Sequence, residues 1–263
     1  MTESGLMRVA LVQRAASLDP AQNRRALDEL VPLVPDVDLV VLPEASARDF
    51  GEPGADLAPY AEGRDGPFAS RLAEVAGPAV MVAGMFETAP DDARPFNTLV
   101  ATGGGVEASY RKIHLYDSFG IRESDQLSAG PVRPVLVEVA GFSVGLMTCY
   151  DLRFPELARG LVDAGAEVLL VPAAWVAGER KVEHWRTLLR ARAIENTAWV
   201  VGVGQPGPRY TGHSMVVAPD GDVLVEAGEG PEVLRAELGR ERLDAVRRMN
   251  PSLANRRLPV RLG

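Results

Sequence analysis

The sequence predicts an α/β fold in which two packed sheets are covered by helices. Three observations carry this. Apolar runs of strand length alternate with helical patterns along the whole chain. Some neighbouring runs are joined by Gly-rich hairpin signals and others by helices. The strands are also too numerous for one open sheet. With 263 residues, 46% of them hydrophobic, the chain can bury one large core, so a single domain spanning residues 1–263 is expected.

Arg8–Gln13 (RVALVQ) reads as the first strand. Asp19 caps a helix over Pro20–Leu33, with Pro20 at the first position, where a missing N–H costs nothing. Val37–Leu42 is a continuous apolar strand that stops at Pro43-Glu44, and Gly66–Ala76 is a helix leading to a buried strand over Ala79–Phe86. Phe96–Ala101 and Val106–Arg111 flank Thr102-Gly103-Gly104-Gly105, a hairpin signal. Val135–Val139 and Phe142–Met147 pair around Ala140-Gly141. Phe154–Ala164 is helical, Val168–Val171 a strand, Glu179–Asn196 a long helix and Ala198–Val203 a strand. His213–Ala218 and Val223–Glu226 flank the turn Pro219-Asp220-Gly221-Asp222, and Val233–Glu237 is the last strand. The tail from about 240 to 263 holds Arg247, Arg248, Arg256 and Arg257 with little periodicity. It is expected to fray, or else to dock on another surface such as a partner subunit.

Composition narrows the function. A formal charge of −8 argues against a nucleic-acid partner or an anionic membrane surface, either of which needs a clustered basic face. Met1–Met7 carries Glu3 and no apolar core, so it does not read as a signal peptide, and no apolar run approaches the roughly 18 residues of a spanning helix. One cysteine cannot form an internal disulfide, which fits a reducing cytoplasm. His114, His184, His213 and Cys149 are too scattered to read as a zinc site, so no metal is expected.

Three polar residues each terminate an apolar stretch: Glu44, Lys112 and Cys149. Strand ends of a layered α/β protein cluster along one rim, so a carboxylate, an ammonium and a thiol can meet there. The chemistry coheres. A free thiol titrates near 8.5 and is a modest nucleophile at neutral pH. A glutamate base can take its proton, and a lysine can stabilise the thiolate and the oxyanion of a tetrahedral intermediate, with the Tyr150 N–H as a second donor. Taken singly, each residue has a plainer role: a small core side chain, a loop carboxylate or a surface cation.

The wording of the segments goes further. VVLPEA (Val40–Ala45), YRKIHLYD (Tyr110–Asp117) and CYDLRFPEL (Cys149–Leu157) resemble the nitrilase superfamily, the carbon–nitrogen hydrolases. So do RVALVQ, ARAIENTAWVVG (Ala191–Gly202) and GHSMVVAPDGDVL (Gly212–Leu224), in the family's order along nearly the whole chain. The resemblance implies a four-layer α-β-β-α sandwich and a catalytic set of Glu44, Lys112 and Cys149. RESDQLSAG (Arg122–Gly130) matches the region of a second family glutamate, which makes Glu123 a fourth candidate. The implied mechanism passes through a cysteine thioester, releases ammonia or an amine, and needs no cofactor. A homodimer or higher homo-oligomer is implied as well.

Within the superfamily the chain looks most like the small omega-amidases and deaminated glutathione amidases, which hydrolyse amides of small carboxylic acids. Arg153 suits that reading because a guanidinium grips a carboxylate bidentately, and related carbamoylases use an arginine at this position. Tyr116, Phe119 and Trp175, together with Tyr150, are the expected pocket walls. On the same fold, an N-carbamoyl amino-acid hydrolase and a nitrilase stay open. From other classes, so do a catalytically silent scaffold and a redox-sensing thiol protein.

Overall fold

The structure, a computed structural model, describes residues 5–259. Residues 1–4 and 260–263 lie outside it, and with them most of the segment read for a signal and the end of the tail. The first half runs β1 (Leu6–Gln13), α1 (Pro20–Ala26), β2 (Leu39–Val41), α2 (Pro67–Ala76), β3 (Val80–Glu87), β4 (Phe96–Gly103) and β5 (Val106–Arg111). A short ribbon follows, β6 (Asp117–Ser118) with β7 (Ile121–Arg122). The second half runs β8 (Leu136–Val139), β9 (Phe142–Leu146), α3 (Pro155–Asp163), β10 (Val168–Ala173), α4 (Lys181–Asn196) and β11 (Trp199–Gly204). It closes with β12 (Met215–Val217), β13 (Val223–Glu226), β14 (Glu232–Gly239), α5 (Arg240–Met249) and α6 (Ser252–Asn255).

The strands form two six-stranded sheets, in the orders β14-β1-β2-β3-β4-β5 and β13-β12-β11-β10-β9-β8. Each has a parallel centre, β1-β2-β3 in the first and β9-β10-β11 in the second, with antiparallel flanks. Side-chain alternation explains the layering. Val9, Leu11, Leu39, Val41, Val80 and Val82 join one core with the second sheet. Their neighbours Ala10, Val12, Val40, Leu42, Met81 and Ala83 pack with Phe68, Leu72 and Val75 of α2. The second sheet carries α3 and α4 through Leu157, Leu161, Trp185 and Leu189. Strands covered on both faces read as unbroken apolar runs, and β3, β10 and β11 are buried at every position. The result is the four-layer α-β-β-α sandwich.

The departures from the sequence reading have local causes. The first helix has the expected cap, with the Ala21 N–H donating to Asp19 Oδ1 at 2.8 Å. It stays α-helical only to Ala26, and Leu27–Asp36 winds more tightly around Pro32 and Pro35, which cannot donate to a helical ladder. The strand expected from Val37 begins at Leu39, because the Asp38 carboxylate accepts from the Arg8 N–H and guanidinium at 2.8–3.1 Å. As far as residue 259, the arginine-rich tail does not fray as expected. Arg240–Met249 is a helix whose Leu243 and Val246 are buried. Arg240 pairs with Glu167, Arg242 with Asp220 and Arg256 with Asp163, and Arg247 donates to the Thr197 carbonyl.

One glycine connects the first sheet to the end of β2. A Cβ on Gly84 of β3 would lie 2.4 Å from the Ala45 nitrogen and 2.7 Å from the Glu44 Cα, both backbone atoms that cannot yield. Gly84→Ala is therefore expected to destabilise the fold by ~1–3 kcal/mol, read as a lower urea midpoint at unchanged m-value. A midpoint equal to that of the parent would refute this close packing.

Candidate active site

The parallel centres of both sheets direct their strand ends to one rim. Glu44 lies three residues beyond β2, and the chain turns after it through Ala45, at φ 57°. Lys112 directly follows β5, where its N–H donates to the Asn97 carbonyl at 2.8 Å and its carbonyl accepts from the Gly130 N–H at 2.8 Å. Cys149 comes three residues after β9, at the head of a tight turn, Cys149–Arg153. Its φ of 49° is a costly conformation for a non-glycine residue. A buried carboxylate holds that turn in place. Asp151 accepts from the Thr148 N–H (3.0 Å), the Tyr110 hydroxyl (2.6 Å) and the His114 N–H (3.1 Å), and pairs with the His114 ring at 2.7 Å.

The side chains meet at the rim. Lys112 Nζ donates to Glu44 Oε1 at 2.9 Å and to both oxygens of Glu123 at 2.9 and 3.1 Å. Asn97 Nδ2 bridges the same two carboxylates at 2.7 and 3.1 Å. The Tyr116 N–H also donates to Glu123. Glu44 reaches across to the second sheet, where its Oε2 accepts from the Ala174 N–H at 2.7 Å, and the Cys149 thiol lies close enough for the two groups to shift each other's titration. Glu44 and Lys112 are each 1% exposed.

Burial works against the Glu44 charge, but Lys112, the Ala174 N–H and the thiol outweigh it, and the carboxyl titrates below the usual glutamate range. Burial also opposes the Lys112 charge, and the two carboxylates more than compensate, holding its pKa well above the ordinary value. For Glu123, burial together with repulsion from Glu44 exceeds the pull of Lys112, so its pKa rises. The Cys149 thiol is pushed well above its usual range, first by burial and then by the Glu44 charge, against the opposing effect of Lys112. At rest the site thus presents a neutral thiol to an ionised carboxylate.

A cavity of about 350 Å³ opens onto this cluster. Glu44, Lys112, Glu123 and Cys149 form part of its wall, as do Tyr116, Tyr150, Arg153 and Trp175, whereas Phe119, also expected in the wall, is exposed beside the cavity and does not line it. The Tyr150 ring stands edge-on to Tyr116, with centroids 5.0 Å apart. Arg153 lies over Trp175, 4.8 Å from the ring centroid. Asn97, Asp151 and Lys181 are residues the sequence reading did not assign. A fully buried asparagine within the apolar strand β4 was the available signal for Asn97. Among the described residues, no group of three or more His, Cys, Asp or Glu side chains is arranged to hold a metal ion.

An α-β-β-α sandwich with a thiol beside an ionised carboxylate fits a hydrolase acting on carbon–nitrogen bonds. The chain belongs to the carbon–nitrogen hydrolase family, whose sequence model matches residues 8–248. It is 44% identical over 226 residues to the deaminated glutathione amidase of Escherichia coli O157:H7, which covers 84% of this chain and 86% of that one. A carbon–nitrogen hydrolase superfamily protein of Xanthomonas campestris, solved with an arsenic adduct in its active site, superposes with a TM-score of 0.87 at 30% identity, over 97% of this chain and 99% of that one. Saccharomyces cerevisiae Nit3, of branch 10 of the nitrilase superfamily, gives 0.84 at 28% identity, over 96% and 97%. Among the described residues no helix is long and apolar enough to cross a membrane.

The electrostatics have a testable sign. Glu44 raises the Cys149 pKa, so Glu44→Gln removes a negative neighbour while Lys112 remains. The midpoint of the pH profile for iodoacetamide alkylation of Cys149 is expected to move to lower pH in the variant. An unmoved or higher midpoint would overturn this assignment of charges.

Proposed function

We propose that the protein hydrolyses an amide of a small carboxylic acid through a Cys149 thioester and releases ammonia. The observation that carries this reading is the neutral Cys149 thiol beside the ionised, buried Glu44 at the wall of the cavity. In the first half, the Cys149 sulfur attacks the amide carbonyl while Glu44 takes the thiol proton. Lys112 and the Tyr150 N–H face the oxygen on which negative charge develops. Collapse of the tetrahedral intermediate breaks the C–N bond, Glu44 returns its proton to the leaving nitrogen, and the acyl group stays on sulfur. In the second half, a water gives its proton to Glu44 and adds to the thioester carbonyl. Loss of the sulfur, which regains the proton, frees the acid.

Glu123 and Asn97 serve this sequence by position. Glu123 pairs with the Lys112 ammonium and Asn97 ties Glu123 to Glu44, which keeps the ammonium in place while Glu44 gains and loses its charge. The substrate class rests on the likeness to the deaminated glutathione amidase and on Arg153 at the cavity wall, whose buried Nε has no partner. The same reading includes a homo-oligomer in the cytoplasm, with the exposed apolar side chains of Ile194, Val223 and Leu224 as a candidate contact. A monomer in sedimentation would remove that part.

Ammonia release from deaminated glutathione and from short omega-amides of dicarboxylic acids tests the reaction. Cys149→Ala, which removes only the thiol, is expected to lower turnover by about a hundredfold or more. A variant that keeps the parent rate would exclude Cys149 as the nucleophile.

A further inference from the structure

A second cavity, of about 120 Å³, lies outside the active site, along β5 at the edge of the first sheet. Its mainly polar wall brings together three guanidinium groups and a hydroxyl: Arg111 and Ser109 of β5, Arg64 ahead of α2, and Arg133 on the connection to β8. Ser109 and Arg111 are two residues apart on a strand, so they share a face. Tyr110 between them sends its hydroxyl the other way, to Asp151. None of the four takes part in the chemistry proposed at Cys149.

Two of the cations are held and one is free. The buried Glu87 carboxylate accepts from Arg111 Nε at 3.0 Å and from its Nη2 at 2.6 Å, and Arg64 Nε approaches it at 3.2 Å. The Thr98 hydroxyl fixes Glu87 in turn, at 2.8 Å, and the Arg111 guanidinium lies over the Phe96 ring, 4.1 Å from its centroid. Arg64 Nη1 donates to Ser109 Oγ at 3.2 Å. One carboxylate thus orients two guanidinium groups and cancels one of their charges. The Arg133 side chain forms no ion pair or hydrogen bond among the described residues, and no carboxylate lines the cavity. On a chain with a formal charge of −8, this spot keeps an excess of positive charge.

The backbone that carries Arg133 is rigid. In Gly130-Pro131-Val132-Arg133-Pro134 each proline fixes its own φ, and Pro134 restricts Arg133 as well. The segment is fastened at both ends. The Gly130 N–H donates to the Lys112 carbonyl at 2.8 Å, and the Val135 carbonyl accepts from the Leu146 N–H of β9 at 3.0 Å. A Cβ on Gly130 would lie 2.3 Å from the Arg111 carbonyl oxygen, so only glycine lets the chain pass β5 this closely. Arg133 therefore reaches the cavity on a short connection pinned to both sheets, and little backbone freedom remains to be lost when a ligand binds.

We infer that this cavity is a binding site for a tetrahedral oxyanion, either inorganic phosphate or the phosphoryl group of a small molecule. A guanidinium fork matches two oxygens of such an anion. Arg133 supplies a complete fork, Arg111 and Arg64 the N–H groups that Glu87 leaves over, and Ser109 a hydroxyl. Donors from three arginines on two separate segments and a strand suit oxygens spread in three dimensions better than a flat carboxylate. The anion supplies the missing counter-charge and ties the first sheet to the connection. Its occupancy is independent of the hydrolysis proposed at Cys149.

The test is calorimetric titration of the protein with sodium phosphate, and separately with glycerol 3-phosphate, at fixed ionic strength. Saturable binding is expected, weakened about tenfold by Arg133→Gln, the size of one lost charge-assisted contact. Arg64→Gln is expected to act similarly, and Arg133→Lys to restore only part of the affinity, because it lacks the fork. Arg133 and Arg64 are exposed, so these replacements leave the core untouched. Arg25→Gln, on the exposed side of α1, is expected to change nothing. Tighter binding of glycerol 3-phosphate would identify a phosphorylated small molecule as the ligand, and equal or weaker binding would identify phosphate itself. Heats that do not saturate, or affinities equal in the parent and Arg133→Gln, would overturn the site. So would phosphate binding that falls with Lys181→Met instead, because that places the anion in the catalytic cavity.

Discussion

The structure depends on one buried ammonium. Lys112 lies in the interior, and a charge there is tolerable only when it is paired and fully hydrogen-bonded. Glu44 and Glu123 supply the pairing, and Asn97 fills the space between them. These groups come from separate elements: the ends of β2 and β5, the strand β4, and the turn after the small ribbon. Glu44 extends the network to the second sheet, through Ala174 on one side and through its own carbonyl, which accepts from Gln205 at 3.0 Å, on the other. The requirement to neutralise one lysine thereby fixes how the two sheets meet at the rim.

That arrangement also sets the state of the thiol. Near a lone lysine, Cys149 would drift toward thiolate. Here burial keeps the proton on sulfur, and the Glu44 charge reinforces it against Lys112. The backbone adds rigidity. Cys149 holds a left-handed conformation because Asp151 secures the turn with donors from Thr148, Tyr110 and His114. Local strain survives where the surroundings overdetermine it, and the buried carboxylate does that here.

Much of this was legible in the sequence. Glu44, Lys112 and Cys149 each close an apolar run, and strand periodicity places them at strand ends. Glu123 was legible only through family resemblance, because nothing in its local pattern separates it from an ordinary loop carboxylate. Asn97 and Asp151 were missed because their partners lie far along the chain: Asn97 is 53 residues from Glu44, and Asp151 is 41 from Tyr110. The tail misled for a related reason. Its weak periodicity read as a tail that frays or docks on another surface, yet Arg240 pairs with Glu167 and Arg242 with Asp220 of the same chain, ions that no local window connects. Prolines 32 and 35 were visible in the sequence, and giving them more weight would have shortened the first helix correctly.

The path of β14 bears on how the molecule is made. It follows β13 of the second sheet, yet it pairs along all of β1, from Leu6 opposite Gly239 to Gln13 opposite Glu232. During synthesis the first sheet therefore waits, with one edge unpaired, until nearly the whole chain has left the ribosome. Such an edge invites pairing with other chains, and long-range closure of this kind is slow. The N-terminal half is thus not an independent folding unit. A nascent chain stalled before residue 232 is expected to need protection against aggregation, however complete its other five strands in that sheet are.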